Sequence, residues 1–372
     1  MPETILVVNM NYLGDALLTT PALADLRLAF PDARIDTIVG AGAVETLRGS
    51  PDLDAVIARQ GKAGWGRLAE LYKLLRAGRY SLVIYLPPLP GYALAGWLAR
   101  TPRRVGQGTR QMAPFLTDPR LVDAAHLADR MRQTMPVPLF PAPVRRSLTM
   151  TVTSQVLQTA RGLLSARGIA PDTPFVAVNV GATRPQKRWQ ARAFAQTLDL
   201  LPGVPCVLLG AGAGDALLAR ETLAQTRRAD IVDLVGQTDV PVLAAVLAQS
   251  AVLLSADSGP MHLATAVGTP TVALFGSTDP ALTGPYDDQS RVFYAHLPCA
   301  PCGKHPTCGG RWSCMRALLP ADVALALRDI LRGQKPSIAL PLVSEAAAPP
   351  IAAPSPANPP PIAAPAAARG PA

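Results

Sequence analysis

The run Ser255-Ala256-Asp257-Ser258-Gly259-Pro260-Met261-His262-Leu263-Ala264 combines residue types suited to holding an anion. Ahead of it, Ala251-Val252-Leu253-Leu254 reads as a strand buried on both faces. Asp257, Ser258 and Gly259 supply turn and N-cap chemistry, and Pro260 stands where a first helical residue has no use for its N–H. The helix runs to about Val267, with Gly268 at its C-terminal side. Strand, polar turn and helix start together put backbone N–H groups and a positive dipole end at the carboxyl edge of a parallel sheet. Phosphates bind at such places. Ordinary capping accounts for the same residues. His262 adds a reason to read more, because the dipole disfavours its cation in a first turn and leaves a neutral hydrogen-bonding ring.

A second group lies near the start of the chain. Gly14-Asp15 follows the apolar segment Thr4-Ile5-Leu6-Val7-Val8, so it falls at the carboxyl end of a first strand, where open α/β sheets place ligands. Asp15 is either a helix N-cap or a general base at the mouth of a cleft. Gly14 allows close approach of a ligand or of backbone. The loop Gly181-Ala182-Thr183-Arg184-Pro185-Gln186-Lys187-Arg188-Trp189 follows a later strand. Its donors Thr183, Arg184, Lys187 and Arg188 suit a diphosphate, and Trp189 anchors the next helix.

Two further patterns invite other chemistry. Gly210-Ala211-Gly212-Ala213-Gly214-Asp215 resembles the dinucleotide-binding glycine run, with Asp233 near the expected distance. Its third glycine is one residue early and its strand is second in its domain. The run therefore reads as a loop lining a nucleotide crevice rather than an NAD site. Cys299, Cys302, Cys308 and Cys314 fall within sixteen residues. In a reducing compartment they are either ligands of a structural metal, with His305 competing, or reduced thiols packed in a loop. Four sulfur ligands leave no open position, so catalysis is not expected there.

The elements that must position these groups alternate strand and helix. Strands are expected at 4–8, 34–39, 56–57 and 81–86, and helices at 16–30 and 65–77, with Pro21 marking a kink or a second start capped by Thr19 or Thr20. Residues 101–146 are harder to read and rich in arginine: Arg103, Arg104, Arg110, Arg120, Arg130, Arg132, Arg145 and Arg146. They form either a basic surface for a phosphorylated acceptor or an ordinary solvated face. A helix over 153–167 leads to a second set of strands opening at 175–179 and 206–209. A last helix over 321–332 is expected to pack back toward the first domain. The order βαβα implies two α/β domains with parallel sheets. Their expected bounds are 1–152 and 153–334, followed by a disordered Pro/Ala-rich tail at 335–372. In that tail Pro349-Pro350-Ile351-Ala352-Ala353-Pro354 is echoed at 360–365.

Length and charge agree. A chain of 372 residues, 49% hydrophobic and 16% charged, has room for two cores. A net charge of +9 points to an anionic partner. No helix interleaves aromatics with a dense Lys/Arg stripe, so nucleic acid is not expected. Met1-Pro2-Glu3-Thr4 lacks the basic start of a signal peptide and no run is a clean membrane span, so the expected location is cytoplasmic, with electrostatic contact at the inner face of a membrane.

Taken together, Gly14-Asp15-Ala16-Leu17-Leu18-Thr19-Thr20-Pro21-Ala22-Leu23 and the block from Asp257-Ser258-Gly259-Pro260-Met261-His262 to Leu274-Phe275-Gly276-Ser277-Thr278-Asp279-Pro280 resemble the heptosyltransferases of glycosyltransferase family 9. The loop 181–189 is similar to a third block of that family. The resemblance implies a GT-B fold: two Rossmann-like domains across a cleft, acceptor on the N-terminal side and nucleotide-sugar on the other. It implies ADP-heptose as donor, a lipopolysaccharide core precursor as acceptor, inversion at the anomeric carbon and no catalytic metal. Asp15 matches the family's proposed base. Gly14 lies beside it, Thr183, Arg184 and Lys187 lie in the donor-phosphate loop, and Asp257, Ser258, Gly259 and His262 match the donor-binding turn. The four cysteines resemble a cluster that holds a metal (zinc or iron) in related protein-modifying enzymes.

Two departures bear on the nucleotide: Ala182 replaces a second hydroxyl residue of some members, and the 210–214 loop lacks the usual acidic residue, with Asp215 close by. Other readings are a transferase with another nucleotide-sugar or a protein acceptor, an NAD-dependent oxidoreductase, and a non-catalytic partner protein acting through its tail.

Overall fold

The computed structural model describes residues 4–10, 12–60, 64–136 and 147–333. The Pro/Ala-rich tail, Arg145 and Arg146 lie outside them.

The first sheet collects β1 (Thr4–Val8), β2 (Arg34–Gly40), β3 (Ala55–Arg59), β4 (Leu82–Tyr85), β5 (Arg103–Gln107) and β6 (Asp118–Arg120). Between and after them run α1 (Leu13–Leu17), α2 (Thr20–Ala29), α3 (Val44–Leu47), α4 (Trp65–Gly78), α5 (Pro90–Leu98) and α6 (Leu127–Thr134). The second sheet begins after α7 (Ser154–Ser165). It contains β7 (Val176–Asn179), β8 (Cys206–Leu209), β9 (Ile231–Asp233), β10 (Val252–Ala256), β11 (Thr271–Phe275) and β12 (Arg291–Tyr294). Its helices are α8 (Ala191–Asp199), α9 (Ala213–Gln225), α10 (Val240–Gln249), α11 (Gly259–Ala266), α12 (Pro280–Thr283), α13 (Ser313–Arg316) and α14 (Pro320–Arg332).

Both sheets are six-stranded and parallel, with orders β3-β2-β1-β4-β5-β6 and β12-β11-β10-β7-β8-β9. These are the same Rossmann order read in opposite directions. In each, the order reverses between the first strand and the fourth, and such reversals open a crevice at the carboxyl ends of the strands. The segments after β1, β7 and β10 are therefore the ones the topology directs at a ligand. The central strands are buried because helices cover both faces, as in β10, whose five residues are all buried.

The Pro21 interruption is a second start: α1 ends at Leu17 and α2 begins at Thr20, with proline in its first turn. Thr19 does not cap it through its side chain. Its hydroxyl donates to Ala16 O (2.6 Å) and accepts from Asn9 Nδ2 (3.0 Å), tying the loop after β1 to the helix break. The arginine-rich stretch resolves into β5, β6 and α6. One expectation is corrected. The last helix, α14, packs on α8, β10 and β11 of its own domain, because Val323, Ala324 and Leu327 on its apolar stripe complete the core on that face of the second sheet.

The domains meet through α1 and α11. Leu17, Leu18 and Ala128 from the first half share a buried cluster with Leu263, Ala264 and Val267 from the second. Among the described residues no helix is long and apolar enough to cross a membrane.

Candidate active site

Asp257, the residue directly after β10, is the hub of the cleft. Its Oδ2 lies 2.5 Å from Lys187 Nζ and accepts from Thr278 Oγ1 at 2.5 Å. Asp257 and Lys187 are largely buried, so this charge pair is scarcely screened. Asn179, the last residue of β7, sits beside Ser255 in strand register. Its Nδ2 is 2.9 Å from Gly181 O and 3.0 Å from the hydroxyls of Ser255 and Ser258. That amide ties the loop after β7 to the turn before α11. It also occupies the Ser258 side chain, which makes no cap bond. The expectation of side-chain capping is therefore corrected. The turn is held from behind, which leaves the start of α11 for a ligand.

Across the cleft, Gly14 lies in α1, with Asp15 next to it and partly exposed. A Cβ built on Gly14 would sit 2.7 Å from His262 Cδ2, and one on Gly259 would sit 3.0 Å from Leu13 Cδ2. The two glycines let two helix starts touch. Burial first, and then the Asp257 carboxylate, push the Asp15 carboxyl above the usual range, while Lys187 pulls it back. Asp15 therefore shares the field of the Lys187–Asp257 pair. Burial pushes His262 down to about 4, against the pull of Asp257 and with the push of His126 and Lys187. The ring is neutral, and its Nδ1 is buried without a partner among the described residues.

Of the residues singled out from sequence, Gly14, Asp15, Lys187, Asp257, Ser258, Gly259 and His262 gather at this one place. Thr183 is exposed and Arg184 partly buried, at the start of the short turn Pro185–Lys187. The glycine run after β8 is not free: Asp215 Oδ2 accepts from Ala211 N at 2.9 Å, and its Oδ1 is 3.4 Å from Arg188 Nη2. Asp215 thus ties two loops together.

Thr278 and Asn179 were not assigned a role from sequence. Each stands at a strand's carboxyl edge, which is the signal that could have marked them. A second contact between the domains was also missed. His126 Nε2 is 3.2 Å from Gly284 O, its ring stacks on Tyr286 at 4.9 Å, and Tyr286 OH donates to Asp129 Oδ1 at 2.6 Å.

The four cysteines line a common small cavity together with Gln186 and Ser277. As arranged they do not fit a structural metal: among the described residues no three His, Cys, Asp or Glu groups converge as ligands. Backbone N–H groups, that of Trp312 foremost, already bond the Cys308 thiol and hold it below the usual range.

Two parallel-sheet α/β domains that meet at their switch points, with Asp15 on one side and the Lys187–Asp257 pair on the other, give the two-domain architecture of the GT-B class. The model of glycosyltransferase family 9 (heptosyltransferase) matches residues 68–312, and the chain belongs to that family. It is a glycosyltransferase, which sets aside the oxidoreductase and the non-catalytic readings. It is 28% identical over 299 residues to lipopolysaccharide heptosyltransferase 3 of Escherichia coli K12, covering 77% of this chain and 86% of that protein. The crystal structure of a family 9 glycosyltransferase from Veillonella parvula superposes with a TM-score of 0.78 at 24% identity, covering 89% of this chain and 98% of the other. That of Escherichia coli ADP-heptose lipopolysaccharide heptosyltransferase II superposes at 0.72 and 24% identity, covering 89% and 99%.

Proposed function

We propose that this cleft moves a heptose from ADP-heptose to a lipopolysaccharide inner-core acceptor with inversion, Asp15 acting as general base and no metal taking part in the chemistry. The observation that carries the reading is that Asp15, on the first sheet, shares the field of the Lys187–Asp257 pair on the second. A partly buried carboxylate with a raised pKa suits a base that must take and hold a proton. The acceptor hydroxyl gives its proton to Asp15 as its oxygen attacks the anomeric carbon. On the opposite face the bond to the diphosphate breaks and ADP leaves with the electron pair.

Charge on the departing diphosphate falls on Lys187, Arg184 and the start of α11. An ammonium has three N–H donors. Asp257 engages one and so orients the group, while the others face the donor. Neutral His262 adds no cation at the dipole end, and Thr183 offers a hydroxyl at the lip. On this reading residues 1–152 carry the acceptor and 153–334 the donor.

The acceptor's lipid part requires the enzyme to meet the cytoplasmic face of the inner membrane. The surface of α4 and α5 suits an anionic bilayer: Trp65, Tyr72 and Trp97 are exposed among Lys73, Arg76, Arg79 and Arg100.

A second reading, the same transfer from another nucleotide-sugar, is favoured by Asp215, which is held by Arg188 and Ala211 instead of standing free for a ribose. The test is to offer ADP-heptose and other nucleotide-sugars with purified core precursors, with and without a chelator. Product mass identifies the pair, and the anomeric configuration of the product tests inversion. No ADP-heptose turnover, a retained configuration, or turnover abolished by the chelator counts against the proposal.

A further inference from the structure

The segment between β12 and α14 brings Cys299, Cys302, Cys308 and Cys314 to one cavity of about 10 Å³, whose other walls include Gln186 and Ser277. That is barely the room of one water. Ser277, one of the wall residues, is fully buried, and its hydroxyl has no partner among the described residues.

The walls are not arbitrary. Gln186 immediately precedes Lys187, and Ser277 immediately precedes Thr278, the two residues whose side chains hold Asp257 Oδ2. One backbone unit joins them. Gln186 Nε2 donates to Gly303 O at 3.2 Å, and Gly303 N donates to Ser277 O at 2.7 Å. Trp189 Nε1 donates to Met315 O at 3.0 Å from the same lobe. Packing is close at the other end too, where a Cβ on Gly276 would lie 2.8 Å from Cys314 Sγ. Cys299 is exposed and Cys302 and Cys308 are partly exposed, so a solvent reagent reaches these three while Cys314 stays buried. Of the three, Cys302 is the one bonded in sequence to Gly303, the unit that joins the two loops.

We propose that Cys302 is a modification site through which a mixed disulfide weakens donor binding. The step is thiol–disulfide exchange. The Cys302 thiol loses its proton to solvent and its sulfur attacks a low-molecular-weight disulfide. One S–S bond forms, one breaks, and the leaving thiolate takes up a proton, so there is no net oxidation. The cavity has no room for the attached group. Gly303 is displaced, Gln186 and Ser277 lose their common anchor, and Lys187 and Thr278 no longer meet at Asp257. A reducing cytoplasm keeps the thiol free, so the site responds to disulfide stress. The inference rests on reading the cleft as a nucleoside-diphosphate site.

The experiment treats the full chain with glutathione disulfide, locates the adduct by peptide mass, and measures ADP binding and amide exchange before treatment, after it, and after re-reduction with dithiothreitol. The expected result is an adduct on Cys302, ADP affinity lowered at least tenfold and restored by dithiothreitol, and faster exchange at residues 186–187 and 277–278 with an unchanged far-ultraviolet spectrum. Cys302→Ser binds ADP like the parent and does not respond to the disulfide. Absence of a Cys302 adduct, or an adduct that leaves exchange in those segments unaltered, overturns the proposal. So does an equal response of Cys302→Ser. Failure of the untreated protein to bind ADP sinks the reading of the cleft instead, and the exchange data still decide whether the lobe and the loops are coupled.

Discussion

Gly14 and His262 come from different domains, and the space where a Cβ on Gly14 would stand lies 2.7 Å from the imidazole Cδ2. The contact sets the approach of α1 to α11, and with it the distance from Asp15 to the donor turn. Gly14→Ala therefore forces the domains apart or His262 off its rotamer, at a cost of about 1–3 kcal/mol, so turnover falls roughly 5- to 150-fold. ADP affinity should stay near the parent's where the domains separate, and should fall together with turnover where His262 moves instead. Steady-state rates beside calorimetric ADP titration make the check, and an unaffected turnover would mean that this approach does not govern the cleft.

Asp15→Asn separates chemistry from stability. As the general base, Asp15 should cost turnover about 10²- to 10⁴-fold on removal, with ADP affinity within a few-fold. Burial and Asp257 raise the folded-state pKa, so between the unfolded and folded values the folded state binds more protons. Stability is lost as pH rises through that window, and above it the ionised Asp15 is a cost. The asparagine variant should melt at a higher temperature than the parent. It should also lose the acid limb of kcat/KM. A variant that melts lower and binds ADP poorly would make Asp15 a structural residue.

Both sheets and the gathering of Gly14, Asp15, Lys187 and Asp257 are legible before any coordinates, because strands such as Val252–Ala256 and Ile5–Val8 are wholly or almost wholly apolar and are followed by polar turns. What cannot be read is which polar groups meet across sequence distance. Thr278 reaching Asp257 depends on the β10–β11 pairing, and Asn179 reaching Ser258 on the β7–β10 pairing. The His126–Tyr286 contact depends on domain placement, which no local pattern encodes. The destination of α14 was misjudged because its apolar stripe says that a partner exists and not which one. The cysteine spacing shows proximity, while metal binding needs convergence of the sulfurs, a property of the folded loop.

Lys187→Met leaves Asp257 buried beside Asp15 with its countercharge gone. The lost charge-assisted bonds are worth about 1.5–3 kcal/mol, so donor affinity should fall roughly 10- to 150-fold. Lys187 also pulls the Asp15 pKa down. In the variant the acid limb of kcat/KM should move to higher pH. Binding isotherms and pH–rate profiles read the two effects separately, and Lys187→Arg should restore part of the first. A donor affinity left unchanged would remove Lys187 from the diphosphate site.

The proposed membrane contact through α4 and α5 would carry a salt signature. Trp65 is 82% and Trp97 50% exposed, and α4 also carries the exposed Lys73 and Arg76. Each cation near an anionic surface contributes about 1 kcal/mol, so the double change Lys73→Glu and Arg76→Glu should weaken binding to phosphatidylglycerol vesicles by roughly tenfold or more. Added salt should do the same to the parent. Co-sedimentation decides, and equal binding to uncharged phosphatidylcholine vesicles would contradict the electrostatic part of the reading.

His262 predicts an acid-sensitive fold. Its folded pKa is pushed down to about 4 by burial, against about 6.5 in an unfolded chain. As pH falls below 6.5 the unfolded state takes up the proton first. The full stability is present above that value and is lost progressively toward pH 4, by on the order of 3 kcal/mol from this group. His262→Gln keeps a neutral ring-sized polar group and removes the proton site, so urea unfolding at pH 7 and pH 4.5 should differ less in the variant than in the parent. His126, also lowered by burial, leaves part of the slope in place. Identical slopes in parent and variant would mean that the folded protein accepts a proton on His262, and that the donor turn faces its ligand with a cation instead of a neutral ring.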